Sequence, residues 1–418
     1  MKKQQLLVIS SFPRKGETHG QEVVGVASYA KNTLFSLTRN FRNLSITVLA
    51  EELEGENEYI EKRITVKRIW KRDSITTFFN LLKEIVSDHK ATKTVMVEFE
   101  LSMFGNTLHL IPLPIFLLIL KLLNKKVVLV SHQVISDINE LSGHINIKNE
   151  GSVAMGLNAL IKLFYSLCLP LCSKVIVFDE IFKEQLEPFT NKKSIVVIPH
   201  GVDKIIKKEN KYAALKKLRL TKKQFVVLVF GFIAWYKGTD IIVHAFREFI
   251  RGQKRNWHYK LIIAGGANPN HLDKEYYNRY VKSIKTASHN HGIRVTGFVP
   301  EKQIGLYYQA SDVVVFPYRT FMSASGPLSI AFSYQKPVLL SSNLKDLFKT
   351  RDMKETITEC ELEVSDFLFD DTADLRKKLM RIETNKTLKK KLITFAKHIS
   401  KKRAWDLIAN SYYEQIFN

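Results

Sequence analysis

The residues most able to do chemistry follow an apolar segment near the middle of the chain. Residues 225–230 are continuously apolar, which predicts a buried parallel strand that ends at Gly231. Lys237 and Gly238 come next, directly before a helical pattern that begins at Asp240. Glycine lets a ligand approach the backbone, lysine supplies a mobile positive charge, and a helix N-terminus favours anions. The segment therefore predicts a diphosphate site, against the alternative of a surface lysine in an ordinary strand-to-helix turn.

A second group of polar candidates follows a later predicted strand, at residues 313–316. Arg319 comes first. It either supplies positive charge to a ligand or forms a structural ion pair. Ser325 and Gly326 follow, directly ahead of a helix predicted from Pro327. Amide groups at the start of a helix favour an anion.

One histidine is a candidate in the first half of the chain. His132 follows the apolar run 127–131, at the end of a predicted strand. A histidine there takes part in a site, or it is a core side chain bonded to the backbone. Glu98, Glu100 and His200 also lie near strand ends, and we interpret these three as structural.

Strand-like runs alternate with helical patterns along the chain, which is typical of doubly wound α/β domains. The Lys-rich stretch after Asp203 predicts a boundary between two domains: residues 1–203 with about 400–418, and residues 204–399. Such sheets bind ligands at the carboxyl ends of their strands, so the cleft between the domains is the expected site. The predicted strands are 5–10, 45–49, 64–69, 95–99, 127–131, 175–178 and 194–198, then 225–230, 259–264, 293–296, 313–316, 338–340 and 361–364.

The composition is that of a globular protein with a large core, since 45% of the 418 residues are apolar and 11% are aromatic. That length predicts two or three domains. Three cysteines in so long a chain argue against a disulfide framework and indicate a reducing compartment. Residues 6–9 are too short for a signal-peptide core and predict a first strand. The longest apolar run, 108–123, is shorter than a bilayer requires and predicts a core helix, with interfacial membrane contact as the alternative.

The formal net charge of +23 predicts a polyanionic partner. Nucleic acid is not the predicted partner, because no zinc spacing, helix-turn-helix or RNP-like aromatic pattern accompanies the charge. Basic residues at 62–72 bracket apolar positions, and Phe78, Phe79, Leu81 and Leu82 follow. This arrangement predicts docking on an anionic membrane surface; the alternative is a strand with a core face and solvated outward lysines.

Taken in order, the motifs of the chain resemble glycosyltransferase family 4, retaining enzymes of the GT-B fold. The resemblance covers nearly the whole chain and implies two Rossmann-like parallel-sheet domains facing across a cleft. The segment around Trp405 and Tyr412 is similar to the helix that crosses back onto the first domain in that fold. The motifs are the glycine loop at Gly25, His132, Pro-His-Gly-Val-Asp at 199–203, Lys-Gly at 237–238, Ala-Gly-Gly at 264–266, Gly-Phe-Val at 297–299, Asp-Val-Val-Val-Phe-Pro at 312–317 and Lys-Pro-Val at 336–338.

Two departures from the family pattern indicate a divergent branch. Family members usually carry a pair of glutamates around the sugar and the nucleotide, and the aligned positions here are near Met322–Ser323 and at Ile330. An arginine commonly follows the glycine of the first turn, and this chain has Phe232. The resemblance then implies that serines and backbone amides replace the first glutamate, and that Arg319 supplies the missing positive charge.

The resemblance implies a retaining hexosyltransferase that needs neither a metal nor another cofactor; the chain contains no Asp-x-Asp. The donor is a nucleotide sugar, bound by the second domain, and the acceptor is a glycan or lipid-linked saccharide, bound by the first. Cell-surface polysaccharide or glycolipid synthesis at the cytoplasmic, inner face of the membrane is the expected setting. The implied catalytic residues are His132 and Lys237, and the implied donor- and phosphate-binding residues are Gly25, Gly231, Lys237, Arg319, Ser323, Ser325, Gly326, Pro327 and Leu328.

Two alternative functions remain open on the sequence. One is a GT-B enzyme similar to glycogen or sucrose phosphorylase, acting on sugar phosphates. The other is a catalytically degenerate GT-B subunit that binds a partner or a membrane, which the absent glutamates favour.

Overall fold

The computed structural model describes residues 4–18, 25–141, 151–204, 209–251, 253, 256–267, 274–289 and 292–417. Within these residues the first half of the chain forms one sheet and the second half another. The strands of the first sheet are β1 (Gln4–Ile9), β2 (Leu44–Glu51), β3 (Glu58–Glu61), β4 (Ile64–Trp70), β5 (Thr94–Phe99), β6 (Lys126–Ser131), β7 (Lys174–Val177) and β8 (Ile195–Val197). Those of the second sheet are β9 (Phe225–Phe230), β10 (Tyr259–Ala264), β11 (Ile293–Val295), β12 (Val313–Phe316), β13 (Val338–Ser341) and β14 (Leu368–Phe369).

Helices connect these strands and cover both faces of each sheet. The first half contains α1 (Val26–Asn40), α2 (Thr77–Ser87), α3 (Leu113–Leu122), α4 (Ser152–Cys168) and α5 (Glu180–Leu186). The second half contains α6 (Lys211–Lys217), α7 (Thr239–Arg251), α8 (Glu275–Ser288), α9 (Glu301–Ala310), α10 (Gly326–Ser333), α11 (Arg351–Glu359), α12 (Thr372–Thr384), α13 (Lys386–Lys402) and α14 (Trp405–Phe417).

Both sheets are parallel, apart from one edge hairpin. The strand order is β3-β4-β2-β1-β5-β6-β7-β8 in the first sheet and β11-β10-β9-β12-β13-β14 in the second. The edge strand β3 runs antiparallel to β4, to which it is joined by a tight turn. Because the other strands are parallel, their carboxyl ends lie along one edge of each sheet, and the loops at that edge carry the candidate residues.

Alternation along the strands divides the first core into two layers. Leu7 and Ile9 of β1 pack among the side chains of α2 and α3, whereas Leu6 and Val8 pack with α1 and α14. This is the period of two that a strand imposes on its side chains. Both faces are covered by helices, which explains the continuous apolar runs in the strand sequences.

The last helix, α14, belongs to the first sheet although the second half of the chain precedes it. The hydroxyl groups of Tyr29 in α1 and Tyr412 in α14 lie 2.8 Å apart. Asn40 donates to the carbonyl oxygen of Asp406 and to the side-chain oxygen of Asn410, both at 2.8 Å. The predicted return of the C-terminal helix to the first domain is confirmed.

Most of the predicted strands are present, with ends that differ by at most two residues. The strand predicted at 361–364 is wrong: Val364–Asp366 is a 3-10 turn, and the edge strand is β14 instead. The side chains of Glu363 and Asp366 cap this turn reciprocally. Glu361 has a φ of +50°, which a strand does not adopt, so the alternation of polar and apolar residues at 361–364 belongs to a helix cap. β3 was not predicted.

The predicted exposed basic rim is wrong for two of its residues. Arg68 is buried in β4, where its guanidinium donates to Glu56 and to the carbonyl oxygen of Pro13 at 3.0 Å. Lys67 is bonded to Glu84 at 2.7 Å and to Asp88 at 3.2 Å. Of the apolar residues that follow, Phe78 and Leu81 are core side chains. The charge of Lys67, the outward lysine of β4, is thus already paired with Glu84 of α2 and with Asp88, its C-cap residue.

Candidate active site

Lys237 lies in a tight turn after β9. The turn is the 3-10 helix Trp235–Lys237, and Gly238 closes it with a φ of +63° before α7 begins. A Cβ atom at Gly238 would lie 1.9 Å from the carbonyl oxygen of Pro317. Only glycine fits there, both for its backbone conformation and for the contact that holds this turn against the loop after β12.

The Lys237 ammonium group points back at the end of β9. Its Nζ lies 3.0 Å from the place that a Cβ would take at Gly231, whose φ is +111°. Cγ of Pro327, in the first turn of α10, lies 3.5 Å from the same place. Gly231, Lys237 and Pro327 therefore surround one small volume, which is open because residue 231 has no side chain. We call this volume the Gly231 pocket.

The N-terminus of α10 forms the other wall of the Gly231 pocket. Ser325 is its N-cap residue and accepts from the amide of Leu328, while Gly326 and Pro327 form the first turn. The hydroxyl of Tyr308 donates to the carbonyl oxygen of Pro327 at 2.9 Å and holds that turn in place. A helix start with its first amide groups beside a lysine is a favourable place for an anion.

The charge of Lys237 is available to a ligand. Its Nζ takes part in no hydrogen bond or ion pair with the residues that the structure describes, and it lies 5.8 Å from the centre of the Tyr236 ring. Partial burial lowers the pKa of Lys237 to about 8, because burial disfavours the charged form. A bound dianion would supply the partner that this ammonium lacks.

Arg319, in the loop after β12, lies against the turn that carries Lys237, but its charge is already shared. Its guanidinium pairs with both carboxylate oxygens of Asp240, at 2.9 and 2.5 Å, and donates to the carbonyl oxygen of Trp235 at 2.7 Å. Tyr280 also donates to Asp240, at 2.6 Å. Although burial opposes it, these hydrogen bonds lower the pKa of Asp240. The structure thus places Arg319 as a clamp on the turn that carries Lys237, and its direct contact with a donor stays a prediction.

Ser323 lies where the two halves of the chain meet. It forms an antiparallel bridge with Gln133, directly after β6, and the amide of Val134 donates to the carbonyl oxygen of Met322 at 2.9 Å. The position of the first family glutamate is therefore part of a backbone contact between the halves. The other aligned position, Ile330, packs against the second core.

His132 forms a buried pair with Glu98. The two residues end neighbouring strands, and Nε2 of the imidazole lies 2.5 Å from Oε2 of the carboxylate. The imidazole ring contacts the rings of Tyr29 and Phe178 edge-on, at 4.9 and 5.0 Å. Oε1 of Glu98 has no hydrogen-bond partner among the described residues. Since Glu98 takes Nε2, the nitrogen left to meet a ligand is Nδ1.

His200 supports this group from the other side and also joins the two halves. Its Nδ1 lies 2.7 Å from the carbonyl oxygen of Gly201 and 2.9 Å from Oγ of Ser329 in α10. Burial lowers the pKa of His200 to about 4, so the ring is neutral at physiological pH. The interpretation of His200 as structural agrees with these contacts.

Gly25 precedes α1 and follows residues 19–24, which lie outside the described residues. Its φ is −56°, and a Cβ added to it would meet no atom of the described residues within 4 Å. The conformation does not require glycine here, and contact of Gly25 with a ligand stays a prediction. Leu328, the last of the predicted donor residues, is buried behind the first turn of α10.

Phe232 occupies the position where the family commonly has arginine. Its ring lies 6.4 Å from that of Phe298, which is 44% exposed at the end of β11. Near these rings, Gly231 and Gly265 pack tightly against each other: a Cβ at Gly265 would lie 1.9 Å from the carbonyl oxygen of Gly231. The strand ends beside the Gly231 pocket thus carry an aromatic surface in place of a cation.

Within the described residues no group of three or more His, Cys, Asp or Glu side chains is placed to hold a metal ion. Asp312, the most buried aspartate beside the second sheet, accepts from Lys211 at 2.6 Å, from Lys389 at 2.7 Å and from the amide of Val226 at 3.0 Å. Although burial opposes it, the two lysines lower the pKa of Asp312. Its role is to join α6 and α13 to the sheet.

The sequence analysis did not predict the pairing of Glu98 with His132 or that of Asp240 with Arg319. It interpreted Glu98 as structural and Asp240 as the start of a helix. The signal for Glu98 was present, because a carboxylate in an otherwise apolar parallel strand needs a partner. No local signal pairs Asp240 with Arg319, since Asp240 lies in the first turn of α7 and Arg319 in the loop after β12.

Residues 210–399 match the family model described as glycosyl transferases group 1. The matched residues form the second half of the chain, which is thus similar to a glycosyltransferase group 1 domain. The comparison with curated protein sequences gives no match.

Solved structures resemble the chain over its full length. Sucrose-phosphate synthase from Thermosynechococcus elongatus has a TM-score of 0.74 at 15% identity, covering 99% of both chains. HepE from Anabaena, in complex with UDP-glucose, has a TM-score of 0.66 at 15% identity and 98% coverage of both chains. The trehalose-6-phosphate synthase OtsA has a TM-score of 0.70 at 10% identity and 99% coverage of both. At such identities the likeness shows the fold, and the predicted GT-B architecture is confirmed.

Proposed function

We propose that the protein is a retaining, metal-independent hexosyltransferase that uses a nucleoside diphosphate sugar. One observation carries the proposal: the Lys237 ammonium, without an ion-pair partner among the described residues, lies beside Gly231 and the start of α10. In this arrangement the diphosphate of the donor occupies the Gly231 pocket. Lys237 and the amides of Ser325 and Gly326 then stabilise the charge that develops as the sugar leaves.

His132 is the proposed group on the acceptor side. Glu98 holds its ring by Nε2, and the neighbouring Gln133 pairs with Ser323 of the second half. His132 thus lies in the cleft between the halves, where the hexose of a donor bound at Lys237 meets its acceptor. Retention needs no protein nucleophile if the acceptor hydroxyl attacks the face from which the diphosphate departs and gives its proton to a phosphate oxygen.

The acceptor that we propose is a glycan or a lipid-linked saccharide, in cell-surface polysaccharide or glycolipid synthesis. Assignment to family 4, as a divergent member, is part of this proposal. Support comes from the ordered motifs, the GT-B fold and the HepE complex with UDP-glucose, which is a structural neighbour. A peripheral position at the inner face of the membrane would bring the enzyme to a lipid-linked acceptor.

The test is release of nucleotide from a panel of donors: UDP-glucose, UDP-galactose, GDP-mannose and ADP-glucose. We expect hydrolysis or transfer with one nucleotide class, at a rate that does not depend on added inorganic phosphate. A rate that requires inorganic phosphate would replace the proposal with the phosphorylase alternative.

A binding-only subunit is the second candidate, because Ser323 and Ile330 occupy the positions where the family has acids. It predicts neither turnover nor nucleotide binding. Turnover that disappears in Lys237→Ala and persists in the matched surface variant Lys282→Ala would exclude it, since Lys282 is exposed on α8.

A further inference from the structure

Three neighbouring helices of the first half carry apolar side chains on their outer side. α2, α3 and α4 cover the same face of the first sheet and bury their inner residues in one core. The rings of Phe78 in α2 and Phe116 in α3 lie 5.2 Å apart, and Lys121 at the end of α3 donates to the carbonyl oxygen of Pro170 just beyond α4 at 3.3 Å. We call the solvent-exposed side of these three helices the apolar face.

α3 shows the feature most clearly, because all of its residues except Lys121 are apolar. Its inner residues Leu113, Phe116, Leu117 and Leu120 are buried. Ile115, Leu118 and Leu122 lie on the opposite side, three or four residues apart, and are 62%, 44% and 72% exposed. A helix that is hydrophobic on every side belongs in a core or in lipid, yet the described residues leave half of this one uncovered.

α2 and α4 extend the same surface. Ile75, just before α2, and Phe79 in its first turn are 85% and 69% exposed. On α4 the exposed large apolar side chains are Val153, Met155, Leu160, Leu163 and Leu167, and all of them except Met155 are spaced along one side of the helix. Most of the large hydrophobic side chains that the described residues expose lie on these three helices or on the turn before α3. Exposed apolar patches of this extent mark an interaction surface.

Among the described residues, one segment, Ser152–Leu171, is long and apolar enough to cross a membrane by length and composition. It does not stand apart from the protein, because Tyr165 and Cys168 are core residues. The Tyr165 hydroxyl also accepts from the amide of Ile135 at 3.0 Å. The segment therefore lies along the sheet with one side in the core, which is the posture of an interfacial helix.

The charges on the apolar face identify its partner. α3 and α4 contain no acidic residue, and each has one exposed lysine, Lys121 and Lys162. α2 exposes Lys83, and its single acid, Glu84, accepts from Lys67 at 2.7 Å. Lysines that reach past apolar side chains favour a lipid interface, whereas interfaces between proteins are depleted of lysine.

We propose that the apolar face docks on an anionic lipid bilayer, with Ile115, Leu118 and Leu122 at its centre. The turn before α3 follows the carboxyl end of β5, the edge of the sheet that also carries His132. A head group held at the bilayer surface therefore enters the cleft from the side of the acceptor. This inference deepens the peripheral location proposed above and rests on that part of the proposed function, not on the transfer chemistry.

The experiment is co-sedimentation of the full chain with phosphatidylcholine vesicles that contain or lack phosphatidylglycerol. We expect binding to the anionic vesicles, and at least tenfold weaker binding for Ile115→Ser/Leu118→Ser/Leu122→Ser. The matched control is Met380→Ser/Leu407→Ser, which removes two exposed apolar side chains from α12 and α14 and should bind as the unchanged protein does. Lys83→Gln/Lys121→Gln/Lys162→Gln should lose the preference for anionic lipid.

Three results would overturn the docking proposal. The unchanged protein binds neither vesicle; the triple serine variant binds as well as the control; or sedimentation velocity shows a dimer that the serine substitutions dissociate, so that a second copy covers the face. Hydrolysis of a soluble nucleotide sugar without vesicles, measured in parallel, separates this proposal from the reaction. Loss of hydrolysis in every sample alongside the expected vesicle binding would overturn the transferase and leave the docking surface.

Discussion

Lys237 and Arg319 lie on two loops that contact each other, but they use their charges differently. Arg319 shares its charge with Asp240, whereas Nζ of Lys237 has no ion-pair partner among the described residues. In the sequence both are basic residues near glycine, and either is suited to a phosphate. The difference depends on Asp240, which reaches Arg319 only through the fold. Residue types alone therefore do not tell which of the two side chains, Lys237 or Arg319, already has an ion-pair partner.

Replacing Lys237 tests the pocket most sharply at this scale. Lys237→Ala should lose about 2 to 4 kcal/mol of transition-state stabilisation, the usual cost of removing one preorganised donor. Single-turnover transfer with the preferred donor measures this loss. Because the pKa of Lys237 is about 8, donor affinity should fall as the pH rises through that value, and Lys237→Arg should move the fall to higher pH. Unchanged single-turnover transfer in Lys237→Ala would contradict the assignment.

Glu98 is a positioning residue in this account, since it acts through His132. Glu98→Gln keeps the size of the side chain but removes the charge that fixes the imidazole by Nε2. We expect kcat to fall about a hundredfold with donor KM nearly unchanged, as small misplacements of a reacting group cost that much. Thermal unfolding serves as the control. A large drop in melting temperature with unchanged kcat would show that the pair is only structural.

At the scale of elements, the proposed donor site depends on the close contact between the residues that follow β9 and β10. Gly265 after β10 leaves no room for a side chain, because the carbonyl oxygen of Gly231 would lie 1.9 Å from its Cβ. Both strands, β9 and β10, were predicted from the sequence, and the glycines that follow each strand could be seen there. The contact itself was not predictable, because it depends on the register in which Ile263 of β10 pairs with Val229 of β9.

Gly265→Ala should therefore destabilise the protein by about 3 kcal/mol, the upper part of the range for overpacking. Gly156→Ala is the matched control: it lies within α4, and its Cβ would meet no atom within 4 Å. That change should stabilise the helix by about 0.5–1 kcal/mol. Chemical denaturation without lipid measures both. Equal stability of the two variants would show that the strand ends are looser than described.

At the scale of the whole molecule, alternation of strands and helices was enough to predict two parallel sheets, whereas the return of α14 was implied by the resemblance to the family. Contacts between the halves were beyond the sequence, as in the bridge of Gln133 with Ser323 and the contact of His200 with Ser329. They join segments far apart in the chain, and no residue pattern at either end specifies the other. The apolar side of α3 was visible as a run, but only burial shows that half of it is uncovered.

The absence of an Asp-x-Asp motif and the cationic pocket together predict metal-free turnover. In the proposed mechanism, Lys237 and the start of α10 take the part that a divalent ion would otherwise play on the diphosphate. Activity should survive EDTA at full rate, with a control reaction at matched ionic strength. Collapse with the chelator and recovery with Mg²⁺ or Mn²⁺ would contradict this mechanism.

The central claim is that a nucleoside diphosphate binds between Gly231, Lys237 and the start of α10. Calorimetric titration with UDP, GDP and ADP at pH 7, on the unchanged protein and on Lys237→Ala, tests it most directly. One of the three nucleotides should bind the unchanged protein, and its affinity should fall at least tenfold in the variant, while Lys282→Ala binds as the unchanged protein does. Absence of binding by all three nucleotides, or equal affinity in Lys237→Ala, would contradict the account.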